Sequence, residues 1–535
     1  MVQLEDAPRN PRVSPLSGPA EMQGGPKEPK LQGASLRLAQ WLRQPAHLVE
    51  AVVLLGVFAA STVIRIHFAA FLDPFEDGYQ NWWISANLVQ TGQYWDRHSM
   101  MTQGNWLPLY HFFAAAVLEM GGLQSMDALK DANIALSGLT ALAVFLVSRE
   151  RGRTIALAAT GFFSFNFIDI VVSGWATAET LASLLVLVGY AMLFQTTRLT
   201  TNRIWIGSAA FALAVMTRYE AWLIVCLMTI YVVLIGSVRP RRPLLLALLP
   251  AIVLMVGYFV YSSQWGFLPS IVIRQTSTDI QYQLSVGTQP TPTTLLTRWW
   301  TGYASFFPLV LLLGGVYSVW TVKRDFGAWI VLSLWAFIVL YTVVQFGNPS
   351  YRYVVISVPF LSIFGAVGLV DALRALRGPR RFGFRSAQQT TAIACFALVL
   401  VGLTLLPSSA AFWEPGFPAS VAMEPLERAG IYTSTLPLPA GKILISESPI
   451  AAYFSGYPPD RILGSRWLPD NRSQALTFLK TNVAYVIYVG VPYYRLRSLF
   501  PELQNGTSTP DFALLFDAGG IQAGTHAIFV FRVMP

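Results

Sequence analysis

The chain has 535 residues, of which 54% are hydrophobic and 12% charged, and its net charge is +9. A soluble domain carries about 25% charged residues, so half that proportion over this length excludes a soluble globular enzyme, a disordered protein and a fibrous one. A polytopic α-helical membrane protein remains, and the basic excess becomes a question of loop topology rather than of nucleic-acid binding.

Residues 1–34 are rich in Pro, Gly, Ser and charge and have no apolar periodicity. They cannot bury enough surface to offset the entropy of ordering, which predicts a disordered tail. No apolar core follows a basic start, so the tail does not read as a signal peptide. Residues 35–46 read as a short amphipathic helix lying on the membrane surface. Residues 47–408 form the expected membrane domain, a series of apolar runs. A span needs roughly 20 apolar residues, and about eleven runs qualify by that criterion. They lie near 47–67, 132–148, 154–172, 178–195, 204–217, 220–236, 244–264, 303–322, 326–346, 352–371 and 389–407. The run from Leu107 to Gly121 is shorter and predicts a helix in the interface that does not cross. Cys226 and Cys395 lie in apolar runs and form no disulfide framework or metal motif.

Lys and Arg resist translocation and collect on the cytoplasmic side. Eleven spans with the N-terminus inside place 21 of the 37 basic residues in the cytoplasm and 7 on the outer side of the membrane region. That threading puts 68–131, the first outer loop, and the C-terminal region outside. Asp73, Glu76, Asp77, Asp127, Glu179 and Glu220 are also outer residues in this threading, and carboxylates near a bilayer need partners or a task. Residues 409–535 change character. Lys442–Ser446, Ala484–Val489, Phe512–Phe516 and Ala527–Val533 read as strands, with a helix over Ser473–Lys480, which predicts a small extracytoplasmic α/β domain. No Gly-rich phosphate loop opens a helix there.

The chemistry is expected in the first outer loop. Glu76 and Asp77 follow the first span and precede a helix over Tyr79–Gln90 that ends at Thr91-Gly92, a good C-terminal stop. The same acids would also complement a helix dipole. Farther on come Trp106-Leu-Pro-Leu-Tyr-His111, then Glu179 in the second outer loop, then Ala214-Val-Met-Thr-Arg-Tyr-Glu220 and Tyr351-Arg-Tyr-Val-Val-Ile-Ser-Val-Pro-Phe-Leu361.

This order of motifs resembles the GT-C superfamily, multi-spanning glycosyltransferases that use polyprenyl-phosphate-linked sugars. The closest type is the protein O-mannosyltransferase and lipid A aminoarabinose transferase group. The acidic pair runs Glu-Asp where that group has Asp-Glu, which leaves open which of the two holds the catalytic position. The resemblance implies an inverting transfer on the outer face to a protein, lipid or glycan acceptor. One carboxylate among Glu76, Asp77 and Glu179 would act as general base. Arg352 and Arg218 would stabilise the leaving phosphate, with Tyr351, His111 and Tyr79 as further binding candidates. Each has a bland alternative. Arg352 between Tyr351 and Tyr353 also reads as an interface anchor, Arg218 and Glu220 as a mutually neutralising pair, and His111 as a hydrogen-bonded core residue. Glu76, Asp77 and Glu179 could offer oxygen ligands to Mg²⁺ or Mn²⁺, but no essential metal is expected. The alternative function is a polytopic transporter of a lipid-linked or polar solute, which would want ionisable residues and broken helices at the bilayer midplane.

Overall fold

The computed structural model describes residues 45–73, 76–94, 106–195, 199–234, 241–264, 309–321, 325–345, 351–376, 423–490, 494–521 and 526–535. The chain forms two compact units, Met1–Val52 and Val53–Pro535. Of the first, only the opening of one helix is described. The expected helix over 35–46 therefore lies almost wholly outside the described residues, as do the tail and the run at 389–407.

In chain order the helices are α1 (Pro45–Ala69), α2 (Asp77–Thr91), α3 (Pro108–Gly121), α4 (Met126–Arg149), α5 (Arg153–Ser164), α6 (Phe167–Ser173), α7 (Glu179–Leu193), α8 (Thr201–Val215), α9 (Tyr219–Leu234), α10 (Arg241–Gln264), α11 (Leu309–Thr321), α12 (Phe326–Gln345) and α13 (Val358–Leu376). A 3₁₀ turn, Tyr351–Ser357, leads into α13. Ten of the eleven apolar runs thus lie on helices.

The number of spans is smaller than expected. Among the described residues four helical stretches are long and apolar enough to cross a membrane: Leu48–Ala69, Met126–Arg149, Arg241–Tyr261 and Val354–Asp371. The pair α5 and α6 makes a fifth if counted as one span, bent by 55°. The run at 389–407 and the start of that at 303–322 lie outside the described residues, and two features of the described helices contribute the rest. The described helices α7 and α9 have 15 and 16 residues, short of a bilayer core about 30 Å thick at ~1.5 Å rise per residue. The run at 154–172 is interrupted where Asn166 stops one helix and caps the next, its Oδ1 accepting from Asp169 N at 3.1 Å.

The break explains the setting of Arg65, one of the seven basic residues that the threading puts on the outer side. It is buried against α5 and α6. Its guanidinium donates to Ser164 O at 2.9 Å, a carbonyl at the interrupted helix end, and to Ser173 Oγ at 3.0 Å. It also pairs with Asp169 at 2.6 Å. Ser137 Oγ from α4 donates to the same Asp169 oxygen at 2.7 Å. Backbone freed by a helix break must find partners inside a membrane, and this cluster supplies them.

The C-terminal region is a mixed α/β sheet. Its elements are α14 (Glu424–Ser434), β1 (Ile443–Ser446), α15 (Pro449–Phe454), β2 (Ile462–Gly464), α16 (Arg472–Asn482), β3 (Val483–Val489), α17 (Arg495–Leu499), β4 (Phe512–Ile521) and β5 (His526–Val533). The strand order is β2-β1-β3-β5-β4. β1 pairs in parallel with β2 and β3, whereas β5 runs antiparallel to β3 and β4. All four expected strands are present. The short β2 and helices α14, α15 and α17 add to the expected set. Asn471, part of a glycosylation-like triplet, caps α16 by accepting from Ser473 N at 2.9 Å.

The loop helices α2 and α3 lie between bundle and sheet. Tyr79, Trp82, Leu118 and Leu129 share one apolar core with Leu444, Ile450 and Ala451. Trp82 Nε1 donates to Leu123 O at 2.6 Å, and its ring meets Tyr453 edge-on at 4.9 Å. The Tyr453 hydroxyl donates to Gln124 O at 2.9 Å and accepts from Met126 N at 3.3 Å.

Candidate active site

The loop after α1 leads into α2. Asp73 sits in that loop, fully buried. Lys130 of α4 reaches it, with Nζ 3.1 Å from Asp73 Oδ1 and donating to Ala69 O and Phe71 O at 2.9 Å each. Burial pushes the Asp73 carboxyl up and Lys130 opposes it. The carboxylate lies so close to α2 that a Cβ on Gly78 would overlap Asp73 Oδ2. Only glycine permits that approach.

Glu76 opens α2 and is half-buried. Its Oε1 accepts from Ser448 Oγ, and its Oε2 accepts from the Tyr494 hydroxyl at 3.3 Å. Ser448 in turn caps α15. Burial drives the Glu76 pKa up to about 7 despite those two hydrogen bonds. Behind Ser448, the buried Glu447 accepts from Ser465 Oγ at 3.0 Å, Val489 N at 3.0 Å and Leu496 N at 2.9 Å. Its pKa also rises to about 7, through burial first, with nearby Glu76 adding to it. The two acids face each other at the carboxyl ends of β1 and β3. That crevice, flanked by strands the chain reaches in opposite directions, is the usual ligand position of open α/β sheets. Here the first loop's Glu76 occupies it. Asp77 is half-buried in the first turn of α2.

Glu179 starts α7 and is 1% exposed. Arg218 lies 3.2 Å from it through Nη1, while its Nε and Nη2 fork onto Glu220 at 3.0 and 2.6 Å. The expected neutralising pair is therefore present, and it extends to a third charge. Tyr110 of α3 is buried near both acidic groups. Burial above all, then Glu179 and Asp73, raise its hydroxyl pKa. Glu179 and the first loop thus stand at the same end of the bundle.

His111 is buried with a hydrogen-bond partner at each ring nitrogen. Its Nε2 lies 3.0 Å from Asn81 Oδ1, and Asn81 Nδ2 donates to Ala176 O at 2.8 Å. That anchor fixes Oδ1 as the acceptor, so Nε2 carries the proton. Nδ1 lies 2.9 Å from the Tyr94 hydroxyl. Burial lowers the His111 pKa to about 3. Tyr79 is 2% exposed and packs on Tyr453 and Phe454. Tyr351 and Arg352 lie on the 3₁₀ turn before α13, and their side chains are outside the described residues. Among the described residues no three His, Cys, Asp or Glu side chains gather to hold a metal ion, so Glu76, Asp77 and Glu179 do not form one oxygen cage.

Asp73, Lys130, Tyr110, Glu447, Ser448 and Tyr494 were not singled out from the sequence. Asp73 and Lys130 carried a faint signal as charges of opposite sign on the outer side. Tyr110 lay within the Trp106–His111 motif without a role of its own, and Glu447, Ser448 and Tyr494 gave no signal, since their partners are distant in the chain.

The architecture is that of a multi-span membrane protein with a C-terminal mixed α/β sheet. The chain is similar to ArnT from Cupriavidus metallidurans bound to undecaprenyl phosphate. The TM-score is 0.51 at 14% identity, covering 90% of this chain and 97% of that one. The apo state of the same protein gives the same values. The oligosaccharyltransferase of Archaeoglobus fulgidus, tethered with an acceptor peptide, gives a TM-score of 0.48 at 11% identity, covering 84% of this chain and 70% of that one. No family model and no curated protein matches the chain in sequence.

Proposed function

We propose that the protein is an integral-membrane glycosyltransferase that moves a sugar from a polyprenyl-phosphate donor to an acceptor on the outer face, with inversion. In this reading the N-terminus is cytoplasmic and the α/β region is extracytoplasmic. The observation that supports it is that Asp73 of the first loop and the Glu179–Arg218 pair both lie near Tyr110 at one end of the helical bundle.

Asp77 acts as general base. Glu76 is the weaker candidate, because both of its oxygens are engaged by Ser448 and Tyr494. The acceptor hydroxyl gives its proton to the Asp77 carboxylate as its oxygen attacks the anomeric carbon from the face opposite the phosphate. The new C–O bond forms while the bond to the phosphate oxygen breaks, and the electron pair leaves with the polyprenyl phosphate. A phosphate needs cationic stabilisation rather than a proton donor. Arg352 supplies it, its guanidinium fork suiting two phosphate oxygens. Arg218 is held by two carboxylates, so its part is to orient Glu179.

The test is transfer from a panel of radiolabelled polyprenyl-phosphate sugars in membranes. Asp77→Asn and Arg352→Ala should each lose transfer at least about a hundredfold, and Glu76→Gln should retain a measurable fraction. Equal transfer by wild type and all three variants overturns the mechanism. The transporter reading draws on one feature, the bent α5–α6 pair with buried Arg65 and Asp169. Solute counterflow in proteoliposomes without sugar transfer would favour it.

A further inference from the structure

A cavity of about 440 Å³ opens between the end of α1, the N-termini of α4 and α14, and α15, within the ~300–1,000 Å³ range of small-molecule sites. Three aromatic rings, Tyr79, Tyr453 and Phe454, stand on its wall. Their centroids are 5.0 to 5.9 Å apart, and their planes are inclined at 43° to 87°. Asp127 and Glu427 line the same space. Lys130 does too, but its charge already faces Asp73 and two carbonyls.

The acids have an ordinary explanation. They sit in the first turns of α4 and α14, where a negative charge complements the dipole. That explanation does not reach Tyr79. Its side chain is 2% exposed and lies on the cavity wall, yet among the described residues its hydroxyl makes no hydrogen bond. The hydroxyl is not sealed in the core but opens onto the cavity, where it can meet a ligand atom that donates or accepts. A single metal ion does not answer the description, since no three acidic groups converge among the described residues. Tilted rings with carboxylates spread around them are instead the chemistry that holds an organic ammonium group.

We propose that this cavity is a binding site for a primary ammonium group, seated against Tyr79, Tyr453 and Phe454 and neutralised by Asp127 and Glu427. The Tyr79 hydroxyl accepts one N–H. The site is preorganised, because Tyr453 is pinned at both lone pair and proton by Gln124 and Met126. It stands independently of the transferase reading, since occupancy is measured without transfer. An amine can come from a free small molecule or from an ethanolamine lipid headgroup at the nearby end of α1, and the chemistry is shared.

The probe is ethanolamine, titrated onto the full chain in phosphatidylcholine nanodiscs and followed by saturation-transfer NMR. Ethylene glycol serves as the neutral molecule of similar size. Saturable binding of ethanolamine alone is expected. Glu427→Gln and Asp127→Asn, both in exposed or half-exposed positions, should weaken it about tenfold. Tyr79→Phe, which keeps the ring, should weaken it about fivefold. Competition by phosphatidylethanolamine in the disc supports the ammonium site and assigns its source to a headgroup. Absence of that competition supports a free amine. Equal binding of ethylene glycol, indifference to all three substitutions, or displacement of ethanolamine by equimolar Mg²⁺ overturns the proposal.

Discussion

Glu76 shows how much of a candidate residue's setting comes from distant parts of the chain. An acid just after the first span reads as a candidate base, and the structure gives it two donors from the α/β region. Its titration follows from its setting. A carboxyl raised from an ordinary 4.5 to about 7 keeps its proton longer in the folded state than in the unfolded one. The folded state is therefore favoured most below the lower value and loses that advantage as pH rises toward 7, with Glu447 adding in the same direction. The apparent melting temperature of wild type should fall between about pH 5 and pH 8, and Glu76→Gln should flatten part of that fall. An unchanged slope in the variant would place the titration elsewhere. Gly78 offers a second test. Ala at this position drives a methyl into Asp73, which Lys130 holds in place, and should cost about 1–3 kcal/mol. Gly138→Ala, with open space around it, should be neutral or slightly stabilising when the two are compared by thermal denaturation. The residue types at the site were legible because loop acids and a Thr-Gly stop are local signals. Ser448 and Tyr494 were not, because nothing local marks a partner from the far end of the chain.

The elements were legible to different degrees for physical reasons. Apolar runs mark where helices lie, and the described runs do fold as helices. Hydropathy cannot show where a run is divided, since Ser164-Phe165-Asn166 is barely more polar than its flanks. The break is recognisable only through its partner, Arg65, on another helix. That pairing sets a prediction. Arg65→Met leaves Asp169 buried without its cation and should cost about 3–5 kcal/mol. Arg65→Met with Asp169→Asn should be less damaging than the single change, since Ser137 can still donate to the amide oxygen. Thermal stability in detergent measures both, and equal losses would mean that the pair contributes packing rather than charge compensation. In the sheet, β3 was legible as a continuous apolar run, as expected of a strand buried on both faces. The three-residue β2 is too short to leave a periodic signal.

At the scale of the whole molecule, the loops sort themselves into two ends. Arg151, Asp325 and Tyr190 meet at one, with Arg151 and Tyr190 on Asp325 at 2.5 and 2.8 Å. Their loops are those that charge counting puts together in the cytoplasm. The first and second outer loops and the sheet meet at the other end. Connectivity and basic-residue bias thus agree on which loops share a side, while the sign of the orientation rests on the bias alone. In a background without native cysteines, an impermeant maleimide applied to intact cells should label Ser473→Cys and leave Glu150→Cys untouched. The reverse pattern would invert the proposed topology.

The hydrogen bonds from Ser448 and Tyr494 to Glu76 join positions 372 and 418 residues apart. A ribosome delivers the first of these positions long before the other two. The start of α2 therefore lacks these two partners until the last quarter of the polypeptide has been made, although Lys130, Leu123 and Ala176 already hold the loop around it. Biogenesis ends where the candidate site begins, and a chain interrupted after α13 would leave the start of α2 without its latch however well its bundle had inserted.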